Sequence, residues 1–108
     1  MSYRNKLKQL VEDIDGCNAS FFCGYDGILI DQFKKIETLP LDSLGANWAD
    51  ICKKINGNEF KELFVTFNSD IIAIKPFEIG FVGLVLSPDG NVGRAKFELN
   101  KCRSDFGL

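Results

Sequence analysis

The sequence holds few residues that could carry chemistry, and their spacing argues against a metal centre. The four cysteines are dispersed along the chain, no two of them form a CxxC pair, and there is no histidine. A structural zinc site needs Cys or His ligands at characteristic spacings, so zinc binding is not predicted. We interpret Cys17, Cys23, Cys52 and Cys102 as reduced thiols that act as small apolar residues in the core.

Catalytic motifs are equally lacking. Without histidine there is no Ser-His or Cys-His pair, and neither a GxxxxGKS/T nor a GxGxxG phosphate loop occurs. Asp89-Gly90-Asn91 precedes a predicted helix, where helix capping is a simpler interpretation than anion binding. Asp15, Asp26, Asp31 and Asp70 fall at predicted turns and strand ends, which turn chemistry explains more simply than metal binding. The sequence therefore predicts no catalytic residue, metal or cofactor, and indicates that the chain is not an enzyme.

Length and composition predict one globular domain over residues 1–108. Apolar residues make up 45% and charged residues 26% of the chain, and ten phenylalanines predict an aromatic-rich core. The net charge is −2 and no basic block stands out, which argues against nucleic acid or an anionic membrane surface as a partner. No apolar run approaches the roughly 20 residues of a membrane span, and no secretory signal is visible. We expect a cytoplasmic protein.

A β-hairpin over Asn18–Asp31 is the stretch around which the other elements must be arranged. Two apolar runs, Ala19–Cys23 and Ile28–Ile30, flank the turn Gly24–Gly27, which contains an Asp-Gly hairpin pair. Apolar residues occupy both parities of the two runs. We therefore expect both faces of the hairpin to be covered.

Three helices are predicted around this hairpin. The first runs from about Arg4 to Asp15 and ends before Gly16, because apolar residues recur there at helical spacing. A central helix spans Leu41–Asn56, and a last helix spans Val92–Arg103. The stretch Phe33–Pro40 is interpreted as an exposed connection between the hairpin and the central helix.

Three further strands follow the central helix. They are predicted over Phe60–Phe67, Ile71–Lys75 and Phe81–Leu86, and short turns make them successive antiparallel neighbours. The order α-β-β-α-β-β-β-α predicts an α+β fold, a five-stranded antiparallel sheet with two terminal helices on one face and the central helix on the other. Three sheet orders stay open. One helix about 10 Å across cannot cover five strands spaced about 4.8 Å apart, so apolar surface remains that a second copy would close.

The central helix and the third strand contain the candidate interface. Small residues four apart on the helix either let it press on its own sheet or let it contact a second subunit, and the sequence does not separate the two. The third strand is apolar and aromatic, with only Lys61 and Glu62 near its start as edge protection. The predicted homodimer interface comprises Gly45, Trp48, Ala49, Cys52, Phe64, Val65, Thr66 and Phe67.

Four segments in this order resemble the roadblock/LC7 family, whose members include dynein light chains and MglB-like proteins. They are the opening helix with Gly16, the hairpin Ser20–Ile30, the segment Phe64–Pro76 and the segment Asn91–Leu99. The resemblance spans nearly the whole chain and implies the fold predicted above.

The resemblance also implies a function that works by binding. It implies a homodimer in which the third strands pair edge to edge and the central helices pack together. It further implies a regulator or scaffold for a Ras-like small GTPase, as MglB-like proteins are, or an adaptor in a motor complex. The alternative is a small-molecule-sensing PAS/GAF-like or profilin-like domain, which would need a pocket with convergent polar groups.

Overall fold

The computed structural model describes residues 3–35, 48–49, 62–67, 69–77 and 79–102. Within these ranges the elements are α1 (Arg4–Asp13), β1 (Cys17–Gly24), β2 (Leu29–Lys34), β3 (Leu63–Phe67), β4 (Asp70–Pro76), β5 (Gly80–Leu86) and α2 (Val92–Lys101). Trp48 and Ala49 are also helical, and they lie in the predicted central helix. The α+β prediction is confirmed, with every strand pairing antiparallel in one sheet.

The sheet order is β2-β1-β5-β4-β3, which resolves the choice that the sequence left open. β5 lies between β1 and β4, so the last strand in the sequence is the central strand of the sheet. Gly83 in β5 suits this position, because a Cβ there would overlap the ring of Phe21 in β1. The two strands at the edges are β2 and β3.

The two terminal helices share one face of the sheet, as predicted. α1 packs against β1 and β2, while α2 packs against β4 and β5. We call this the terminal-helix face. Its fully or nearly fully buried residues are Leu7, Leu10, Val11, Ile14, Cys17, Phe22, Ala73, Phe77, Val82, Leu84, Leu86, Ala95, Leu99 and Cys102.

The opposite face has a second apolar cluster that includes Trp48, and we call it the Trp48 face. Its buried members are Ala19, Phe21, Cys23, Trp48, Ala49, Ile72, Ile74, Phe81 and Val85. Alternate residues of β1, β4 and β5 contribute to the two clusters, which explains why these strands are apolar at both parities.

The hairpin prediction is confirmed for its turn and wrong for the covering of its second strand. The Gly27 N–H donates to the Gly24 carbonyl at 3.0 Å, and only Gly27 of the two uses a positive φ, of 87°. β2 lies at the sheet edge and carries a bulge at Ile30, because Cys23 pairs with Leu29 while Phe22 pairs with Asp31. Ile28 precedes the strand and is 66% exposed, and Ile30 is 45% exposed.

The connection predicted over Phe33–Pro40 begins later than expected. Phe33 and Lys34 belong to β2, and Phe33 packs against the terminal-helix cluster with the Arg4 guanidinium 5.4 Å from its ring centroid. The strand continues because β1 still offers Ala19 and Ser20 as partners at these positions. Residues 36–40 of the predicted connection lie outside the described residues.

Candidate interaction surface

β3 forms one edge of the sheet and is apolar along its length. Among the described strands it pairs with β4 alone, through Phe64 opposite Ala73 and Val65 opposite Ile72. Phe64 is half-buried on the terminal-helix face and Val65 is half-buried on the Trp48 face, while Thr66 is exposed. Phe67 is the last residue of the strand. Apolar side chains therefore flank the outer backbone of β3 on both faces of the sheet.

The acidic residue expected to protect this edge is directed elsewhere. The Glu62 carboxylate forms an ion pair with the Lys96 ammonium of α2 at 3.3 Å, and its side chain is only 14% exposed. A charge protects a strand edge by projecting into the path of an approaching strand. Because Glu62 is turned toward α2, it protects the β3 edge poorly. Lys61, the other predicted guard, lies outside the described residues.

The β2 edge, in contrast, is blocked by two side chains. The Lys35 N–H donates to the Asn18 carbonyl, so the antiparallel alternation directs the backbone groups of Gln32 away from β1. The Gln32 N–H donates to Asp31 Oδ1 at 2.9 Å, and its carbonyl accepts from Arg4 Nη1 at 3.2 Å. Neither backbone group of Gln32 is therefore available to pair with an incoming strand.

The predicted helix residues lie against their own sheet where the structure describes them. Trp48 is 6% exposed and Ala49 is 3% exposed, and both pack in the cluster with Phe21, Ile72 and Phe81. Of the two interpretations of the small residues, the observed contacts match the one in which the helix presses on its sheet. Gly45 and Cys52 lie outside the described residues, so their part in an interface stays a prediction.

Several of the residues considered for chemistry contribute to a helix cap, a turn or the core. Asn91 caps α2, because its Oδ1 accepts from the Arg94 N–H at 2.9 Å, and Asp26 Oδ1 accepts from the Ile28 N–H at 3.0 Å within the hairpin turn. Cys17, Cys23 and Cys102 are buried, and burial raises the pKa of the Cys17 thiol to about 12. No group of three or more potential metal ligands is found within the described ranges.

The structure also brings together three exposed isoleucines that the sequence analysis did not single out. Ile28 and Ile30 of the hairpin lie beside Ile79, which is 52% exposed in the turn between β4 and β5. Their separation of about fifty positions hides the cluster in the sequence. No residue pattern marks it in advance, because the bulge at Ile30 arises only from the pairing of β2 with β1.

Comparison with solved structures identifies the fold that these features define. MglC from Myxococcus xanthus superposes with a TM-score of 0.71 at 24% identity, over 98% of this chain and 97% of that one. A roadblock/LC7 domain from Streptomyces avermitilis gives 0.75 at 10% identity, covering 88% and 86%. The gliding protein MglB from Thermus thermophilus gives 0.74 at 14% identity, covering 94% and 87%.

The chain has the roadblock/LC7 fold, as the sequence resemblance implied. No protein-family model and no curated protein matches the sequence itself. Neither described helix has the length and hydropathy needed to cross a bilayer.

Proposed function

We propose that this chain is a non-enzymatic homodimeric scaffold that assembles through β3 and binds a Ras-like small GTPase or a motor complex in the cytoplasm. The observation that carries the dimer is the difference between the two sheet edges. Gln32 in β2 has both backbone groups bonded to side chains, whereas the β3 edge is apolar and its nearest carboxylate is turned toward α2. Evolution protects strand edges that must not pair and leaves open those that pair with a partner.

The dimer would join two β3 strands into a continuous sheet across both subunits. The half-buried Phe64 and Val65 would then be covered further, one on each face. An obligate interface to which both strand and helix contribute is expected to bury roughly 2,000 Å². Trp48 and Ala49 would act in this interface by holding the central helix on the sheet, since their side chains leave little free surface.

The family resemblance and the fold shared with MglB and MglC support this partner class. The sequence has no phosphate loop, so the partner would have to supply any nucleotide. Regulation would then consist of holding the GTPase in one arrangement of its own nucleotide-binding elements.

Two measurements test the proposal. Sedimentation velocity at micromolar concentration should give a dimer, and a folded monomer would refute the β3 interface. A Ras-like GTPase from the same genome should bind the dimer with an affinity that differs between its GDP and GTP-analogue forms. If no such GTPase binds in either nucleotide state, the motor-complex role remains as the proposed function.

A thermal-shift screen separates the scaffold from the small-molecule sensor. The sensor requires a metabolite that stabilises the chain strongly, and it predicts a monomer. A scaffold is stabilised by its protein partner instead.

A further inference from the structure

A shallow apolar depression lies at the end of the sheet where two turns meet. It has a volume of about 410 Å³ and is lined by Gly24, Tyr25, Asp26, Ile28, Ile30 and Ile79. The three isoleucines are 66%, 45% and 52% exposed, whereas the neighbouring strand β5 buries its aliphatic side chains almost completely. This end of the sheet is separate from the outer edge of β3.

Hydrogen bonds and ring packing beneath the depression fix the positions of the residues that line it. The Tyr25 hydroxyl donates to the Phe77 carbonyl at 2.6 Å and so ties the β1–β2 turn to the end of β4. The Tyr25 ring also packs against the buried Phe81, with 6.2 Å between ring centroids. Asp26 fixes the turn through its bond to the Ile28 N–H. A ligand would therefore meet a surface that needs little reorganisation, which lowers the entropic cost of binding.

The size of the patch indicates what kind of ligand fits it. The combined exposed surface area of the three isoleucines is less than that of two fully exposed isoleucine residues. A standard interface buries roughly 800 Å² on each partner, so two copies of this chain could not form a stable dimer through this patch alone. The depression is open on one side, whereas pockets for small molecules enclose most of the ligand surface. An aliphatic side chain of a short segment fits within this volume, and the open side leaves room for the backbone of the segment.

The charge at the rim adds a second requirement. Among the lining residues that the structure describes, Asp26 is the one carboxylate and is exposed, and none is basic. An exposed carboxylate beside an apolar floor complements a Lys or Arg that follows or precedes an aliphatic residue. We propose that the depression is a docking site for a short protein segment in which an aliphatic side chain fills the floor and an adjacent Lys or Arg pairs with Asp26. This site is independent of the β3 dimer.

The experiment selects ligands by chemistry rather than by name. Random short peptides displayed on phage are panned against the wild-type protein, with counter-selection on an Ile28→Ser, Ile79→Ser variant. Enriched peptides are expected to contain an aliphatic residue next to Lys or Arg. Titration of an enriched peptide should shift the methyl NMR signals of Ile28, Ile30 and Ile79 and leave those of the buried Ile14, Ile72 and Ile74 unchanged.

Matched variants separate the two parts of the site. Ile28→Ser should weaken peptide binding on the order of tenfold, because it removes apolar contact area. Asp26→Asn keeps an oxygen for the Ile28 N–H and should weaken it about two- to fivefold, an effect that salt diminishes. The controls are Phe97→Ser, which removes another exposed apolar side chain on α2, and Glu12→Gln, which removes an exposed carboxylate on α1. Neither control should change binding.

Four results obtained with peptides would overturn the proposal. They are a failure to enrich any peptide, enrichment of acidic peptides, equal binding by the Ile28→Ser variant, and equal binding by the Asp26→Asn variant in low salt. Concentration-dependent shifts of the three methyl signals without peptide would also overturn it, because they would identify a second copy of the chain as the occupant. Unchanged signals from the buried isoleucines verify that each variant is folded.

Discussion

Individual buried residues in this chain show how polar atoms are placed between sheet and helix. Ser20 is fully buried in β1, and its hydroxyl donates to the Leu7 carbonyl of α1 at 2.7 Å. Cys17 is 1% exposed at the start of the same strand. The hydroxyl of Ser20 finds an acceptor in Leu7, and the thiol of Cys17 donates to the Ala19 carbonyl at 3.4 Å while burial keeps it neutral. Both polar side chains are therefore accommodated in the interior.

The Cys17 thiol makes stability depend on pH in the alkaline range. Burial raises its pKa from 9.0 to about 12, against smaller opposing effects of the Ala19 backbone and the Lys35 charge. The unfolded chain loses this proton near pH 9 while the folded chain keeps it, so the contribution is fully present below pH 9 and is lost progressively up to about pH 12. Cys17 should lower the free energy of unfolding by about 1.4 kcal/mol per pH unit in that window.

Urea unfolding of the wild type and a Cys17→Ala variant at several alkaline pH values measures this contribution. The variant should lose stability less steeply between pH 9 and pH 12, whatever its stability at neutral pH. Parallel curves for the two proteins would show that the thiol titrates alike in the folded and unfolded states.

Gly83 tests how closely β1 and β5 are packed. A Cβ at this position would overlap the Phe21 ring, which is fully buried and has no room to withdraw. Gly83→Ala should therefore cost about 1–3 kcal/mol of unfolding free energy. Gly93→Ala is the matched control, since only the Asn91 side chain is near its Cβ position, and helix propensity should make it neutral or stabilising by up to about 1 kcal/mol. Equal effects in chemical denaturation would contradict this account.

At the level of elements, the two edge strands differ in how they meet solvent. β2 forms one edge of the sheet, has little apolar cover and contains a bulge. The backbone groups of Gln32 are hydrogen-bonded to the side chains of Asp31 and Arg4. β3 carries none of these protections among its described residues. Under the proposed function, the β2 edge faces solvent and the β3 edge pairs with a partner strand.

Two neighbouring proline variants in β3 test that assignment. Consecutive residues of a strand direct their N–H groups to opposite sides, so one of Val65→Pro and Thr66→Pro removes a bond to β4 and the other removes an outward donor. One variant should lose stability. The other should stay folded but sediment as a monomer. If both variants keep the dimer, β3 is not the interface.

At the level of the whole molecule, the sheet is covered by two separate layers, and the Trp48 layer decides how the interface must be probed. Ala49 is 3% exposed and packs in the cluster with Phe21, Ile72 and Ile74. A charge placed there would be buried within the chain rather than at a surface between subunits.

Ala49→Glu is therefore expected to unfold the protein rather than to separate two folded subunits. The cost of burying an unpaired carboxylate is several kcal/mol, a large share of the roughly 5–15 kcal/mol that stabilises a typical domain. Thermal unfolding by circular dichroism, beside an Ala49→Gly control, measures the loss. A folded monomer of near wild-type stability would instead show that Ala49 faces the second subunit.

The sequence by itself determined the elements and their layers. Apolar spacing located α1 and α2, the Asp-Gly pair located the hairpin turn, and apolar residues at both parities of β1, β4 and β5 required cover on both faces. These patterns are local, because the period of a helix or strand and the backbone freedom of a turn are properties of neighbouring residues.

Only the tertiary structure decided the sheet order, the exposure of Ile28 and Ile30, and the side-chain contacts at the two edges. The insertion of β5 between β1 and β4 depends on contacts such as Gly83 under Phe21, which join residues far apart in the chain. Arg4 reaches the Gln32 carbonyl only because α1 packs on β2, and Glu62 turns from the β3 edge only because α2 brings Lys96 to it. Each depends on distances between separate elements, which a one-dimensional pattern does not contain.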